Sequence, residues 1–176
     1  MRKEEKNRLP MAKTRIPVTP AILLLKEKGT LFTLRPYPYV ERGGTEAAAR
    51  ALGIDEHRTI KTLVMEDDRK NPFIILMHGD REVSTKALAR ALGVKSVQPC
   101  NPQTAERHTG YRVGGTSPFG TRKTMPVYME ETIAALPEIF INAGARGLLA
   151  EMAPAELVRI LHPRTVSVAI GPPPGD

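Results

Sequence analysis

Lys61 is the side chain in this sequence that could best act on a negatively charged group. Residues 58–66 alternate as a β-strand does, which puts Lys61 on one face with Leu63 and Met65. A lysine on an apolar face either extends its ammonium group to the edge of the sheet or holds it at a polar pocket. The strand pattern alone favours the first interpretation.

A glycine-rich loop at residues 114–120 is the second candidate. It is not a phosphate-binding P-loop, because Gly120 is followed by Thr121 and Arg122 and the required lysine is missing. It is not a serine-hydrolase turn either, because Phe119 stands where that turn needs glycine. Such a loop can expose backbone N–H groups to an oxyanion or a ribose-phosphate oxygen, although its composition alone favours a tight structural turn.

A second glycine pair, Gly144 and Gly147, follows the strand predicted at residues 139–142 and flanks Arg146. The guanidinium group could bind a carboxylate or a phosphate through two parallel hydrogen bonds. A hairpin turn with a solvated arginine explains the same pattern equally well, so both interpretations stay open.

Metal and thiol chemistry have little support in the sequence. The histidines at positions 57, 78, 108 and 162 lack metal-ligand spacing, and each is predicted to lie at the surface or in a loop. Cys100 is the single cysteine, which excludes an internal disulfide and indicates a reducing compartment. We therefore expect no cofactor and no metal.

Length and composition predict one domain. The chain has 176 residues, of which 41% are hydrophobic, enough to bury a core. No stretch approaches the roughly 18 apolar residues of a membrane helix, so we expect a soluble, cytoplasmic protein without a membrane partner. Residues 1–16 are predicted to form a flexible basic arm, residues 17–170 the domain, and residues 171–176 a disordered tail.

The positive charge is concentrated in the middle of the chain. The net charge is +7, and residues 81–126 carry eight bases and two acids, whereas residues 16–80 balance at nine against nine. A basic block of this kind suits phosphate contacts, although a solvated charged face has the same composition.

The predicted elements are short helices and strands in irregular order. Helices are expected from Pro20, Thr45, Thr85, Pro102 and Pro154, each preceded or opened by a capping residue or a proline. Strands are expected at residues 31–37, 58–66, 73–77, 126–129, 138–142 and 165–170. The irregular order and the hairpin at residues 58–77 favour an α/β fold of the α+β type with a mixed sheet or a small barrel.

Taken together, the motifs resemble the YbaK/EbsC-type family of aminoacyl-tRNA deacylases, which are related to the editing domain of prolyl-tRNA synthetases. The resemblance is carried by TPA at 19–21, TIKTL at 59–63, TGYRVGGTSPFG at 109–120 and AGARGL at 143–148. It implies a single domain around a mixed, largely antiparallel, barrel-like sheet. It also implies aminoacyl-tRNA as substrate and prolyl-tRNA synthetase as a candidate partner.

The resemblance also implies the site. Its invariant lysine falls on Lys61, and its pocket for the terminal adenosine and the ester falls on Gly114 and Gly115; these three are the expected catalytic positions. The expected substrate-binding positions are Tyr37, Thr62, Val64, Thr116, Ser117, Asn142, Gly144 and Arg146.

The implied reaction is cleavage of an ester between an amino acid and tRNA. Negative charge builds on the carbonyl oxygen during this reaction, and an ammonium group or backbone N–H groups stabilise it. No protein nucleophile is evident, so water or the substrate side chain is the expected attacking group. Many relatives carry Ser-Gly-Gly where this chain has residues 142–144, and an acidic residue where Leu149 stands. The edited amino acid therefore stays open among cysteine, alanine, serine and others.

Two other functions fit the same sequence. A module that grips the acceptor end of tRNA without cleaving it, or an adaptor for a synthetase, would need the same basic block. A hydrolase of small esters is less favoured, because the sequence has no serine or cysteine nucleophile motif.

Overall fold

The structure is a computed structural model that describes residues 15–171, so the predictions for residues 1–14 and 172–176 lie outside the described residues. The described part holds five α-helices: α1 (Pro20–Glu27), α2 (Gly44–Leu52), α3 (Thr85–Leu92), α4 (Pro102–Thr109) and α5 (Pro154–Leu161). Its strands are β1 (Thr33–Pro36), β2 (Thr59–Asp67), β3 (Pro72–His78), β4 (Glu82–Val83), β5 (Val97–Pro99), β6 (Val127–Glu130), β7 (Ile139–Ala145), β8 (Leu148–Met152), β9 (Arg164–Val166) and β10 (Ala169–Ile170). Within this part, no helix is long and apolar enough to cross a membrane.

One mixed sheet organises the fold. Its strand order is β1-β8-β7-β2-β3-β6-β9, with β5 pairing to β2, while β10 and β4 form a separate pair. The β1–β8, β8–β7, β2–β3 and β2–β5 pairs are antiparallel, and the β7–β2, β3–β6 and β6–β9 pairs are parallel. The mixed α/β class is therefore confirmed. Over residues 15–171 the strands form an open path rather than a closed barrel, so the barrel-like part of the prediction is not confirmed.

Each face of the sheet is covered by apolar packing. Ile60 and Val64 of β2 face the larger cluster, which includes α1, α5 and the fully buried Phe119. Met65 faces a second cluster built on α3. A third, smaller cluster packs α2 against β7 and β8. Because β2 alternates between these clusters, its side chains are held on both faces, and its backbone is a rigid base for any site along it.

Most local predictions are confirmed because they rest on contacts within a few residues. Thr19, Ser84 and Asn101 each accept a backbone hydrogen bond as the N-cap of the predicted helix. The β2–β3 hairpin has the predicted antiparallel pairing, from Ile60 opposite His78 to Glu66 opposite Pro72.

Several local predictions are wrong or incomplete: strands β4 and β5 were not predicted, and the strand predicted at residues 165–170 is divided into β9 and β10. His78 was expected at the surface but is 1% exposed, stacked on His57 with ring centroids 3.8 Å apart. Its ring nitrogens bond the His57 carbonyl and the Thr132 hydroxyl, both at 2.7–2.8 Å, so its burial is compensated by tertiary contacts. Strand β8 was not predicted, because its apolar run carries no period-two alternation and is buried on both faces.

Thr19 joins helix α1 to the sheet and gives a test of the fold. Its hydroxyl accepts from the Ile22 N–H (3.1 Å) and donates to the Ala143 carbonyl (2.5 Å) at 5% exposure. We expect Thr19→Val to lower the free energy of unfolding by about 1–3 kcal/mol, because both bonds are lost without a change of shape. Urea denaturation measures this. Asn101→Ala removes only an exposed cap bond and should cost less; equal losses for the two variants would contradict the joining role of Thr19.

Candidate functional site

A cleft of about 1030 Å³ opens along one side of strand β2. On its other side, β2 pairs with β3 from Ile60 to Glu66. On the cleft side it pairs with β7 only at Thr59 and Ile60, and with β5 only from Met65 onward. The two neighbouring strands therefore diverge and leave the middle of β2 uncovered. This divergence is what makes room for a site within the sheet.

Lys61 lies on the floor of this cleft with its ammonium group held in place. Nζ donates to the Arg81 carbonyl (2.7 Å) and lies 3.3 Å from a carboxylate oxygen of Glu82. The Lys61 side chain is 20% exposed, whereas Glu82 is 77% exposed. Lys61 is therefore neither a solvated surface lysine nor a buried structural one, because its charge sits at the surface of a cavity.

The turn after β3 brings these acceptors over Lys61. Gly79 packs so tightly that a Cβ would lie 2.6 Å from the Thr59 carbonyl and 2.7 Å from the Thr45 hydroxyl. The Arg81 N–H then closes a turn on the His78 carbonyl at 3.1 Å. Only glycine fits at position 79, and the close turn it permits directs the Arg81 carbonyl toward the cleft.

The glycine-rich loop forms another wall. Gly114 has φ of +88°, and a Cβ there would lie 2.5 Å from the Tyr39 hydroxyl. A Cβ on Gly115 would lie 2.8 Å from the Arg146 backbone nitrogen, so the loop packs directly on the β7–β8 turn. The Gly115 N–H donates to the Arg112 carbonyl (2.8 Å). This N–H is committed to the turn and is not among the groups the loop offers to a ligand.

Arg146 and Asn142 fasten the loop to the β7–β8 hairpin. The Arg146 Nε donates to the Val113 carbonyl (2.9 Å), and its guanidinium lies 5.2 Å from the centre of the Tyr39 ring. The Asn142 amide donates to the carbonyls of Gly114 (3.3 Å) and Ala145 (3.2 Å). The hairpin interpretation of the second glycine pair is confirmed, and the exposed Arg146 contacts the cleft wall through its guanidinium group.

Eight of the eleven predicted site residues line the cleft: Tyr37, Lys61, Thr62, Val64, Gly114, Thr116, Asn142 and Arg146. Gly115, Ser117 and Gly144 do not. Ser117 is fully buried, and its hydroxyl accepts from the Phe119 N–H to shape the loop. Gly144 faces away from the cleft, where a Cβ would lie 2.7 Å from the Tyr111 ring. These three residues pack behind the walls of the cleft.

Sequence reasoning missed Tyr39, Glu82 and Cys100, which also line the cleft. Tyr39 stands two residues after Tyr37 in a segment rich in proline. Strand alternation places the two tyrosines on the same face, and this signal could have identified Tyr39. Glu82 belongs to a two-residue strand without a pattern of its own. Only the turn at Gly79 brings it to Lys61, and no local signal reports that contact.

Burial changes the titration of two cleft residues. Desolvation raises the pKa of the Tyr37 hydroxyl above its usual value. Burial and the nearby Glu66 carboxylate raise the pKa of the Cys100 thiol to about 11. Both groups are therefore neutral at pH 7. In the described part of the chain, no group of three or more His, Cys, Asp or Glu residues could hold a metal ion.

Comparisons with known proteins identify the class to which this fold and site belong. The family model described as the aminoacyl-tRNA editing domain matches residues 42–160. EbsC of Enterococcus faecalis, described as a candidate Cys-tRNA(Pro)/Cys-tRNA(Cys) deacylase, is 36% identical over 117 residues, which cover 66% of this chain and 71% of EbsC. The chain belongs to the aminoacyl-tRNA editing domain family.

Part of a proline–tRNA ligase and one solved structure are also similar to this chain. The proline–tRNA ligase of Caldicellulosiruptor bescii is 31% identical over 93 residues, which cover 52% of this chain but only 16% of that enzyme. A solved structure described as a candidate trans-editing enzyme for prolyl tRNA synthetase shares the fold, with a TM-score of 0.77. Its sequence identity is 21%, and the match covers 88% of this chain and 100% of that one.

The raised pKa of Cys100 gives a test of the cleft's electrostatics. A raised thiol pKa keeps the sulfur protonated to higher pH, so the reactive thiolate is scarce at pH 8, about one part in a thousand. We expect iodoacetamide to alkylate Cys100 slowly at pH 8, with a rate that still rises above pH 10. Glu66→Gln should move the titration to lower pH, because it removes a nearby negative charge. A rate that levels off by pH 9 in the unaltered protein would contradict the assignment.

Proposed function

We propose that this protein is an aminoacyl-tRNA deacylase that clears mischarged tRNA in trans. The observation that carries the proposal is the Lys61 ammonium group at the floor of a cleft walled by Gly114 and Asn142. Membership in the editing domain family supports the reaction class. The cleft also exceeds the size of a small pocket and has room for both an aminoacyl group and a nucleoside.

The reaction breaks the bond between the acyl carbon and the ribose oxygen. When water attacks, its oxygen bonds the acyl carbon, one proton passes to the departing ribose oxygen, and the amino acid is released. Negative charge develops on the carbonyl oxygen, and an ammonium group in a partly dry cleft stabilises it. Lys61 anchors and polarises the acceptor end in this proposal, and no protein side chain forms a covalent intermediate.

Glu82 is a positioning residue for Lys61 in this proposal. Its carboxylate lies 3.3 Å from Nζ, and the Arg81 carbonyl lies 2.7 Å away, so the ammonium group has a defined place before the substrate enters. Preorganised charge stabilises a transition state more than a mobile charge does, because no reorganisation is needed at the moment of reaction.

The proposed substrate is Cys-tRNA(Pro) or tRNA carrying a similarly small amino acid. EbsC supports this choice through its description and its 36% identity. The buried apolar residues Leu149 and Ala48 line the cleft, which disfavours a charged side chain there. With cysteine, the substrate thiol itself could attack the acyl carbon, forming a thiolactone and releasing the ribose hydroxyl. Product analysis separates that route from attack by water.

Four exposed cations support an RNA partner: Arg107, Arg112, Arg122 and Lys123, together called the basic lip. Hydrogen bonds from Arg122 N–H to the Thr109 carbonyl and from Lys123 N–H to the His108 carbonyl draw these segments together. No ion pair to a carboxylate is found for the four within residues 15–171.

The basic lip adjoins the cleft, since the same loop carries the cleft residues Val113 and Gly114. Burial lowers the pKa of His108, and the charges of Lys123 and Arg107 lower it further. Uncompensated like charges repel one another, and a polyanion such as the acceptor stem relieves that repulsion. Similarity to part of a proline–tRNA ligase makes prolyl-tRNA synthetase a proposed partner.

Replacing Lys61 tests the reaction. We expect Lys61→Met to lower kcat for deacylation by at least about 10²-fold, because the charge that stabilises the carbonyl oxygen is lost while the chain length is kept. The assay follows amino acid release from a panel of Cys-, Ala-, Ser- and Pro-tRNA(Pro). Glu82→Gln should have a smaller effect, because the Arg81 carbonyl still holds the ammonium group.

If Lys61→Met releases amino acid as fast as the unaltered protein does, the deacylase reaction stands but Lys61 has no central role in it. Binding of tRNA without release of any amino acid would instead identify a non-catalytic binding module.

Replacing two cations of the basic lip tests the RNA partner. We expect Arg122→Ala/Lys123→Ala to weaken activity on full-length tRNA and to reduce the slope of log K against log salt concentration by roughly one per lost phosphate contact. Activity on an aminoacylated CCA trinucleotide should stay unchanged. The matched control is Lys26→Ala/Lys28→Ala, which removes two charges from helix α1. An equal effect of both double variants on tRNA would rule out the basic lip as a specific contact.

A further inference from the structure

Strand β2 has no paired strand on the cleft side from Lys61 to Val64. The β7 pairing ends at Ile60, and the β5 side begins where the Cys100 N–H donates to the Val64 carbonyl (3.0 Å). Thr62 lies between these two points and lines the cleft. We call this position the β2 gap.

The backbone of Thr62 faces the β2 gap. In a strand the N–H and C=O of one residue point to the same side, and those of the next residue point to the opposite side. The Val64 carbonyl points toward β5, and the Asp67 N–H points toward the hairpin side, where it bonds the Asn71 carbonyl (3.1 Å). Even-numbered residues of β2 therefore direct their N–H and C=O toward the cleft side, and odd-numbered residues direct theirs toward β3. The N–H and C=O of Thr62 accordingly point into the cleft.

The Thr62 side chain adds a second unsatisfied group at this place. Its hydroxyl oxygen is buried and has no hydrogen-bond partner, the one such side-chain atom identified among the described residues. A buried hydroxyl without a partner is costly, and buried backbone groups are nearly always paired. Polar groups left without hydrogen-bond partners in a central strand therefore indicate a position where a ligand supplies the partners.

An aminoacyl ester has the geometry that completes it. Its ammonium group is a donor and its ester carbonyl an acceptor, separated by one Cα as they are in a strand residue. We propose that the aminoacyl group docks in the β2 gap as a one-residue strand, with its ammonium donating to the Thr62 carbonyl and its ester carbonyl accepting from the Thr62 N–H. This inference rests on the proposed function and assigns the amino-acid end of the substrate.

The gap separates two tasks on neighbouring residues. Thr62 recognises the parts common to all α-amino acids through its backbone. The Lys61 side chain leaves β2 on the face opposite to the Thr62 side chain, where Glu82 and the Arg81 carbonyl hold its ammonium group. The positive charge of the substrate's ammonium thus meets a carbonyl oxygen rather than the ammonium group of Lys61.

Substrate analogues test the backbone contacts. The unaltered protein is assayed on one aminoacyl-tRNA, on its α-hydroxyacyl counterpart made by deamination, and on its N-acetyl counterpart. We expect kcat/KM to fall at least about 10-fold for the α-hydroxyacyl ester, because a charge-assisted bond becomes a neutral one. The N-acetyl ester should lose more, because the gap has room for one residue.

Protein variants test Thr62 itself. Replacing the amide N–H of residue 62 by an ester oxygen should lower kcat/KM, whereas the same change at Leu63 removes a bond to β3 and should lower Tm instead.

The outcomes separate this inference from the function on which it rests. Equal kcat/KM for the aminoacyl and α-hydroxyacyl esters, or full activity of the residue-62 ester variant, would overturn the docking in the β2 gap and leave the deacylase standing. No release of amino acid from any aminoacyl-tRNA by the unaltered protein would overturn both.

Discussion

The divergence of β7 and β5 along one side of β2 is the constraint on which the rest of this structure depends. A central strand normally has both sides paired, but β2 is paired throughout on the β3 side and interrupted on the other. The complete β3 ladder holds β2 rigid while the interruption opens the cleft. Lys61 and Thr62 can therefore present charge and backbone groups to a ligand without destabilising the sheet.

The glycine positions follow from the same constraint. Where β7 leaves β2, β8 stays paired with β1, and the β7–β8 turn packs on the glycine-rich loop instead of on β2. Gly115 lets the loop lie on the Arg146 backbone, and Arg146 in turn bonds the Val113 carbonyl. Glycine is required here for close backbone approach, and several of the motif glycines serve the wall rather than the ligand.

Charge is arranged so that the cleft and its surroundings attract the same kind of partner. Lys61 holds one ammonium group inside, and the basic lip presents exposed cations on the loop that forms the cleft wall. In the proposed function, sites for a phosphate backbone and for an ester that lie close together would let the protein bind a charged tRNA by both its stem and its end. Family membership agrees with this arrangement.

The sequence by itself determined the helices with their caps, the β2–β3 hairpin and the family, because these depend on neighbouring residues or on motif order. It also indicated Lys61, although its strand pattern favoured a solvated side chain. Only the tertiary structure decided that the Gly79 turn brings the Arg81 carbonyl to Lys61, that Ser117 lies behind the cleft wall, and that Thr62 faces a gap. Those results depend on where strands that are distant in sequence diverge, and local sequence periodicity carries no information about that.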